Sequence, residues 1–264
     1  TSPLIMALRD KHGQDSQIDL LVSEAFYETA FALTGVNVVY TFKIGDVVNP
    51  LVGSNTSIFA SYERLERLSS RLQSVNYDVV LNLTHTDYSA ALAYIVNCKD
   101  TVGHTLDEFG VNIVRGDWTN YYSNSYLNRS FNRFNLVDVH SQMAGVQPQK
   151  KLFFNLDQKI REKISEDFEN ACSSSNFLIG VVPGASNIQK RWETSKFAKM
   201  LTQLNKNYNI IAIIIGSSDD LDLGQKILSE LPNAKNYCGK TTLQETAALL
   251  ELCDLVITND TGPM

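Results

Sequence analysis

Short apolar runs and helical stripes alternate along the chain. Ser2-Pro3 reads as an N-cap followed by proline at the first helical position, and Leu4, Ile5 and Leu8 supply the stripe of a first helix. "IDLLV" (18–22) is a short buried strand, Ser23 is placed to cap a helix running through Leu33, and "VNVVYTF" (36–42) is the next strand. After an irregular stretch from Val47 to Thr56, Leu65, Leu68 and Leu72 mark a helix. It leads into the strand "YDVVLNL" (77–83) and a helix over Ser89 to Val96. That order predicts a parallel sheet. Residues 100–150 are less regular and rich in Asn and aromatics, with "NRSFNRFNLVDVH" (128–140) helical at its end.

The second half repeats the alternation more cleanly. A charged helix over Gln158 to Asn170 is followed by "CSSSN" (172–176), which reads as a hinge or loop. "FLIGVV" (177–182) is a strand, and Phe197, Met200, Leu201 and Leu204 lie at i, i+3, i+4 and i+7 of a helix that Thr194 or Ser195 is placed to cap. "IIAIIIG" (210–216) is a fully buried strand that leads to a helix over Asp222 to Glu230. Thr242-Leu243-Gln244-Glu245 is a capping box opening a helix to Leu252, and "LVIT" (255–258) is the next strand. Both halves read as Rossmann-like α/β units. No G-x-G-x-x-G occurs, so a nicotinamide or flavin site has no support.

A length of 264 residues implies two cores. Composition places the boundary between about residues 150 and 176, giving an N-terminal lobe of 1–160 and a C-terminal lobe of 161–264. The chain is 44% hydrophobic and 20% charged with a net charge of −6, which excludes disorder and a broad nucleic-acid surface. No apolar run approaches the roughly 18–20 residues of a membrane span. Cys98, Cys172, Cys238 and Cys253 form no C-x-x-C pair, and His12, His85, His104 and His140 show no metal-ligand spacing. Reduced thiols and no metal site are expected.

In an acidic chain, the adjacent cations Lys190 and Arg191 stand out. In open parallel sheets the ligand crevice lies beyond the carboxyl ends of the strands, beside helix N-termini that favour anions. Three loops qualify. In "PGASNIQKRWE" (183–193), Gly184 and Ala185 let a ligand approach the backbone, Ser186 supplies a hydroxyl, and Lys190 and Arg191 complete an anion cradle; a solvated basic turn is the alternative. In "GSSDD" (216–220), Ser217, Ser218 and Asp219 either accept from ribose hydroxyls or cap the next helix. In "TNDTGPM" (258–264), Asp260 and Thr261 precede Gly262, whose amide can approach a phosphate, unless the segment is simply an Asx turn. "GKTTLQE" (239–245) adds a helix N-terminus at the same edge.

Taken together, P-G-A-x-x-x-x-K-R-W at Pro183 to Trp192, I-I-G-S-x-x-D at 214–220, G-K-T-T-L at 239–243 and T-N-D-T-G-P-M at 258–264 resemble glycosyltransferase family 9, the ADP-heptose:lipopolysaccharide heptosyltransferases. T-S-P-L-I at 1–5, "YDVVLNLTHTDYSA" and "NRFNLVDVH" are similar to its N-terminal segments. The resemblance implies a GT-B fold, two Rossmann-like lobes facing a cleft, with the donor on the C-terminal lobe and the acceptor on the N-terminal one. It implies inverting, metal-independent transfer of heptose from ADP-heptose to the lipopolysaccharide inner core. No cofactor or nucleic-acid partner is expected, and the site would be in the cytoplasm, with peripheral contact to the inner membrane. Carried over by residue, Lys190 and Ser186 meet the donor phosphates, and Lys190, with Arg191 beside it, stabilises the leaving group. Thr241 lies on the adenine side, Asp260 at the donor sugar, Thr261 and Gly262 at the phosphate, and Ser218 or Asp219 at the ribose. The general-base aspartate of the family falls upstream of Thr1, and a family histidine falls after Met264. The segment therefore reads as cut at both ends and inactive by itself.

The donor motifs do not specify the sugar, so another nucleotide-sugar or acceptor fits the same fold, as does a catalytically silent nucleotide-sugar-binding protein. On the acceptor side, Thr84, His85, Asp87, Asn132, Arg133 and Asn135 are candidates that read equally as caps or surface residues.

Overall fold

The computed structural model describes residues 1–45, 58–127, 130, 132–169 and 177–262. The chain forms two compact units, Thr1–Asn155 and Leu156–Met264. The hinge sequence at 172–176, Cys172 and the end of the last motif, Pro263 and Met264, lie outside the described residues.

In the first unit, helix α1 (Ser2–His12) starts one residue earlier than its sequence suggests. Thr1 is the N-cap, Pro3 lies in the first turn, and the Ser2 hydroxyl instead accepts the Phe153 N–H at 3.1 Å. Strand β1 (Asp19–Ser23) leads into a 3₁₀ turn and a short helix α2 (Tyr27–Phe31), so the expected helix from Ser23 is broken and Ser23 makes no side-chain cap. Strand β2 (Val38–Phe42) pairs with β1 in parallel, Asp19 opposite Val38. Arg9 on α1 is buried, and its guanidinium donates to the carbonyls of Gln14 (2.7 Å) and Gly35 (2.8 and 3.0 Å) and to Asn37 Oδ1. It thereby ties α1 to the chain on either side of β1.

Helix α3 (Ile58–Val75) precedes strand β3 (Val79–Asn82), and helix α4 (Asp87–Ile95) follows it. Helix α4 starts ahead of the expected Ser89, and Thr86 caps it by accepting the Ser89 N–H. The region read as irregular contains strand β4 (Asp100–Leu106), parallel to β3, and strand β5 (Asn112–Arg115), antiparallel to β4. Asp107 Oδ1 accepts the N–H groups of Phe109 and Val111 at 2.9 Å, and Gly110 takes a left-handed φ of 78°, which closes the hairpin. Helices α5 (Asp117–Leu127) and α6 (Leu136–Met143) follow, the latter capped by Asn135. The expected single parallel sheet is thus two among the described residues, β1-β2 and β3-β4-β5. An apolar cavity of about 590 Å³ lies between the β1 and β3 edges, lined by Leu20 to Ser23 and Val79 to Leu83.

The second unit opens with helix α7 (Gln158–Asp167), capped by Asp157. Strands β6 (Phe177–Val182), β7 (Ile210–Ile214), β8 (Lys235–Asn236) and β9 (Leu255–Thr258) form one parallel sheet in the order β8-β7-β6-β9. Successive side chains on a strand face opposite sides. Ile179, Val181, Ala212 and Ile214 accordingly pack in one core with Phe197 and Leu201 of helix α8 (Thr194–Asn207) and Ile227 of helix α9 (Leu221–Glu230). Leu178, Val182 and Ile213 pack on the other face with Ile164 of α7 and Ala248 and Leu249 of helix α10 (Leu243–Leu252). Burial on both faces explains why β6 and β7 are near-continuous β-branched and aliphatic runs.

The caps of the second unit depart from the sequence reading in one place. Glu193 occupies the N-cap of α8 without a side-chain bond, so neither Thr194 nor Ser195 caps it. At α10 the capping box forms as read: Thr242 Oγ1 accepts the Glu245 N–H at 3.2 Å, and Glu245 Oε2 accepts the Thr242 N–H at 3.0 Å. That backbone bond, ahead of other causes, holds the Glu245 carboxyl below its ordinary value of 4.5. A depressed carboxyl contributes stability above its unfolded value and loses it as pH falls. Thr242→Ala should lower stability in urea denaturation by about 0.5–2 kcal/mol at neutral pH. Thr242 Oγ1 also donates to Glu245 Oε2 at 3.2 Å, and the part of the difference from wild type that this bond supplies should narrow as the pH falls below 4.5, while the backbone bond persists in the variant.

Candidate functional site

Strand β6 pairs with β7 on one side and β9 on the other, so the connections after β6 and β9 leave the carboxyl edge at the point where the strand order reverses. An open α/β sheet forms a crevice there. Lys190 and Asp260 meet at this point, Lys190 Nζ donating to Asp260 Oδ2 at 2.6 Å with both side chains about half exposed. Lys190 closes a short 3₁₀ helix, Ile188–Lys190, capped by Asn187.

Arg191 turns the other way. Its Nε donates to the Ala185 carbonyl at 2.8 Å, and Nη2 lies 3.9 Å from Asp220 Oδ1. The adjacent cations therefore divide their work, one facing Asp260 and one bracing the loop. Ser186 is exposed and has no hydrogen-bond partner among the described residues.

Two side chains that the sequence reading did not select organise this edge. Asn259, 7% exposed, accepts the Trp192 N–H at 3.0 Å through Oδ1, and its Nδ2 donates to the carbonyls of Pro183 (2.8 Å) and Gly184 (3.4 Å). Asp220, 8% exposed, accepts the Ser217 N–H and hydroxyl at 3.0 and 2.8 Å. It lies directly against Gly184, where an added Cβ would sit 2.3 Å from Asp220 Oδ1. The signal for Asn259 is its place directly after strand β9, at the carboxyl edge of the sheet.

In the second loop Ser217, one of the named candidates, and Asp220 form the cap. Ser218 and Asp219 are exposed on the 3₁₀ turn Ser218–Asp220. Gly239, in the left-handed region with φ 66°, lies against the Ser218 backbone, and its N–H donates to the Gly216 carbonyl at 2.9 Å. The loops after β6, β7, β8 and β9 are thus joined in succession along the sheet edge. Thr241 directs its hydroxyl to Thr246 Oγ1 at 2.9 Å, and Lys240 donates to the Asn236 carbonyl. Thr261 is half-buried, and Gly262 faces open space.

The first-unit candidates are mostly engaged in local structure. Thr84 bonds Asn82, Asn135 caps α6, Asn132 Oδ1 accepts from Tyr121 and the Phe134 N–H, and His85 stacks edge-on to Tyr122. Asp87 accepts from Asn112, which in turn bonds His104 Nδ1 at 3.1 Å, while His104 Nε2 meets Ser123 Oγ at 2.9 Å. Arg133 is exposed. Among the described residues no group of three or more His, Cys, Asp or Glu side chains is placed to hold a metal ion, and no helix is long and apolar enough to cross a membrane.

Gly184→Ala should drive Asp220 from its seat and cost about 1–3 kcal/mol in chemical denaturation. A second expectation concerns Cys238, buried beneath this edge, whose thiol is pushed up from 9.0 to about 11 by burial and then by Asp220. A raised thiol favours the neutral folded form, so its stabilising contribution holds below pH 9.0 and is lost as pH rises through about 11. Cys238→Ala should flatten that alkaline decline in a pH series of melting temperatures.

Residues 65–264 match the family Glycosyltransferase family 9 (heptosyltransferase). Lipooligosaccharide heptosyltransferase 2 of Campylobacter jejuni is 34% identical over 91 residues, an alignment covering 33% of this chain and only 28% of that protein. A family 9 glycosyl transferase from Veillonella parvula superposes with a TM-score of 0.77 at 19% identity, covering 100% of this chain and 72% of that one. An E. coli heptosyltransferase solved with ADP-2-deoxy-2-fluoro heptose gives a TM-score of 0.69 at 15% identity, covering 99% and 78%.

Proposed function

The chain belongs to glycosyltransferase family 9 and has that family's GT-B type of α/β fold, and from this membership we propose that the whole protein transfers heptose from ADP-heptose to the inner core of a lipopolysaccharide. The observation that carries the reading is the Lys190–Asp260 pair at the strand-order reversal of the second unit. The donor diphosphate binds between Lys190 and the turn at Thr261 and Gly262. An exposed ion pair is worth only about 0–1 kcal/mol. A phosphate oxygen can therefore take the Lys190 ammonium from Asp260 at little cost, and the freed carboxylate turns to hydroxyls of the sugar.

Transfer inverts the anomeric carbon. An acceptor hydroxyl attacks from the face opposite the diphosphate as the C–O bond to phosphate breaks, and the electron pair leaves on the nucleoside diphosphate. Lys190 and the surrounding amides stabilise that developing charge, so a divalent ion is not required. Ser186 lends a hydroxyl to the phosphates, Thr241 borders the adenine, and Ser218 or Asp219 accepts from the ribose. The acceptor hydroxyl gives up its proton to a base as it attacks. The enzyme works in the cytoplasm, in peripheral contact with the inner membrane that carries its acceptor.

The full-length protein should bind ADP-heptose in preference to UDP- and GDP-sugars by calorimetry, with turnover unchanged by EDTA. Lys190→Ala should lower turnover about 100-fold or more, in line with loss of a charged transition-state contact of about 3 kcal/mol. Equal affinity for a UDP-sugar, or an undiminished Lys190→Ala enzyme, would contradict the reading.

A further inference from the structure

We propose that Asn259, assisted by Arg191, is a positioning residue that presents the backbone amides of Gly184, Ala185 and Ser186 to the donor diphosphate. The inference rests on the nucleotide-sugar reading and deepens it by naming what sets the shape of the anion-binding loop.

The argument starts from three consecutive carbonyls. Those of Pro183 and Gly184 are taken by Asn259 Nδ2, and that of Ala185 by Arg191 Nε. A trans peptide is planar, and its C=O and the next residue's N–H point in opposite directions. Each captured carbonyl therefore directs the following amide, of Gly184, Ala185 or Ser186, away from the side chain that holds it. None of these three N–H groups has a hydrogen-bond partner among the described residues, although Gly184 and Ala185 are buried. Orphaned buried N–H groups are rare, and a run of them is a receptor for an anion.

The Asn259 amide can serve in only one orientation. Its oxygen must meet the Trp192 N–H and its nitrogen the two carbonyls, so both ends of the 183–192 loop are fixed by one planar group. Asn259 also directly precedes Asp260. The same residue thus sets the amide run and the start of the turn carrying the Lys190 partner. Arg191 works through the loop, its guanidinium lying between the Ala185 carbonyl and Asp220.

The test is an amide NMR titration of the ¹⁵N-labelled full-length protein with inorganic pyrophosphate and with ADP. The Gly184, Ala185 and Ser186 resonances should shift together with Lys190 and Gly262. Asn259→Ala should weaken pyrophosphate binding about tenfold, as expected for misplaced N–H groups facing a charged acceptor, while the remaining spectrum of the second unit stays dispersed. A purely structural role would lower the melting temperature and leave pyrophosphate affinity of the folded protein unchanged, which overturns the proposal. If Asn259→Ala does not fold, the wild-type titration decides alone: shifts at Lys190 and Gly262 without any at 184–186 overturn this inference and leave the nucleotide reading standing. If neither ligand moves any resonance of residues 177–262, both fall.

Discussion

The pairing of β6 with β7 on one flank and β9 on the other is the constraint on which the site depends. It sends the connections after Val182 and Thr258 out of the sheet side by side. Lys190 and Asp260, 70 positions apart in sequence, are brought to 2.6 Å as a result. The pairing is driven by burial on both faces, with the alternating residues of β6 and β7 divided between two helix layers. The chemistry at the rim is a consequence of that packing.

A packed sheet still leaves its loops free to take many shapes, and buried polar groups narrow the choice. Asn259 and Asp220 in the second unit and Arg9 in the first share a role, since each spends its donors or acceptors on backbone groups of connecting segments. A buried polar side chain lacking its partners would be costly. Such clasps therefore penalise alternative loop shapes more than they add to net stability. Gly184 and Gly216 are the counterpart: a side chain at either would collide with Asp220.

Elements with an unmistakable period were legible from the amino acids. Strands β6, β7 and β9 and the Thr242–Glu245 box lie where alternation and cap chemistry place them. The β4-β5 hairpin is not legible in this way, because its polar strands carry no apolar run, although Asp107 and Gly110 mark its turn. At the rim, the motifs named Lys190 and Asp260 but left open which way Arg191 points and whether Ser218 or Ser217 does the capping. Those outcomes turn on tertiary contacts with Ala185, Asp220 and Gly239, which no local pattern encodes. The role of Asn259 escapes local pattern for a related reason, as its partners lie more than 65 residues earlier in the chain.

A crystal structure of the full-length protein with ADP tests the central claim most directly. The account predicts that the diphosphate lies beyond the ends of β6 and β9, with Lys190 Nζ moved from Asp260 to a phosphate oxygen. A diphosphate bound elsewhere, with the Lys190–Asp260 contact intact, would contradict it.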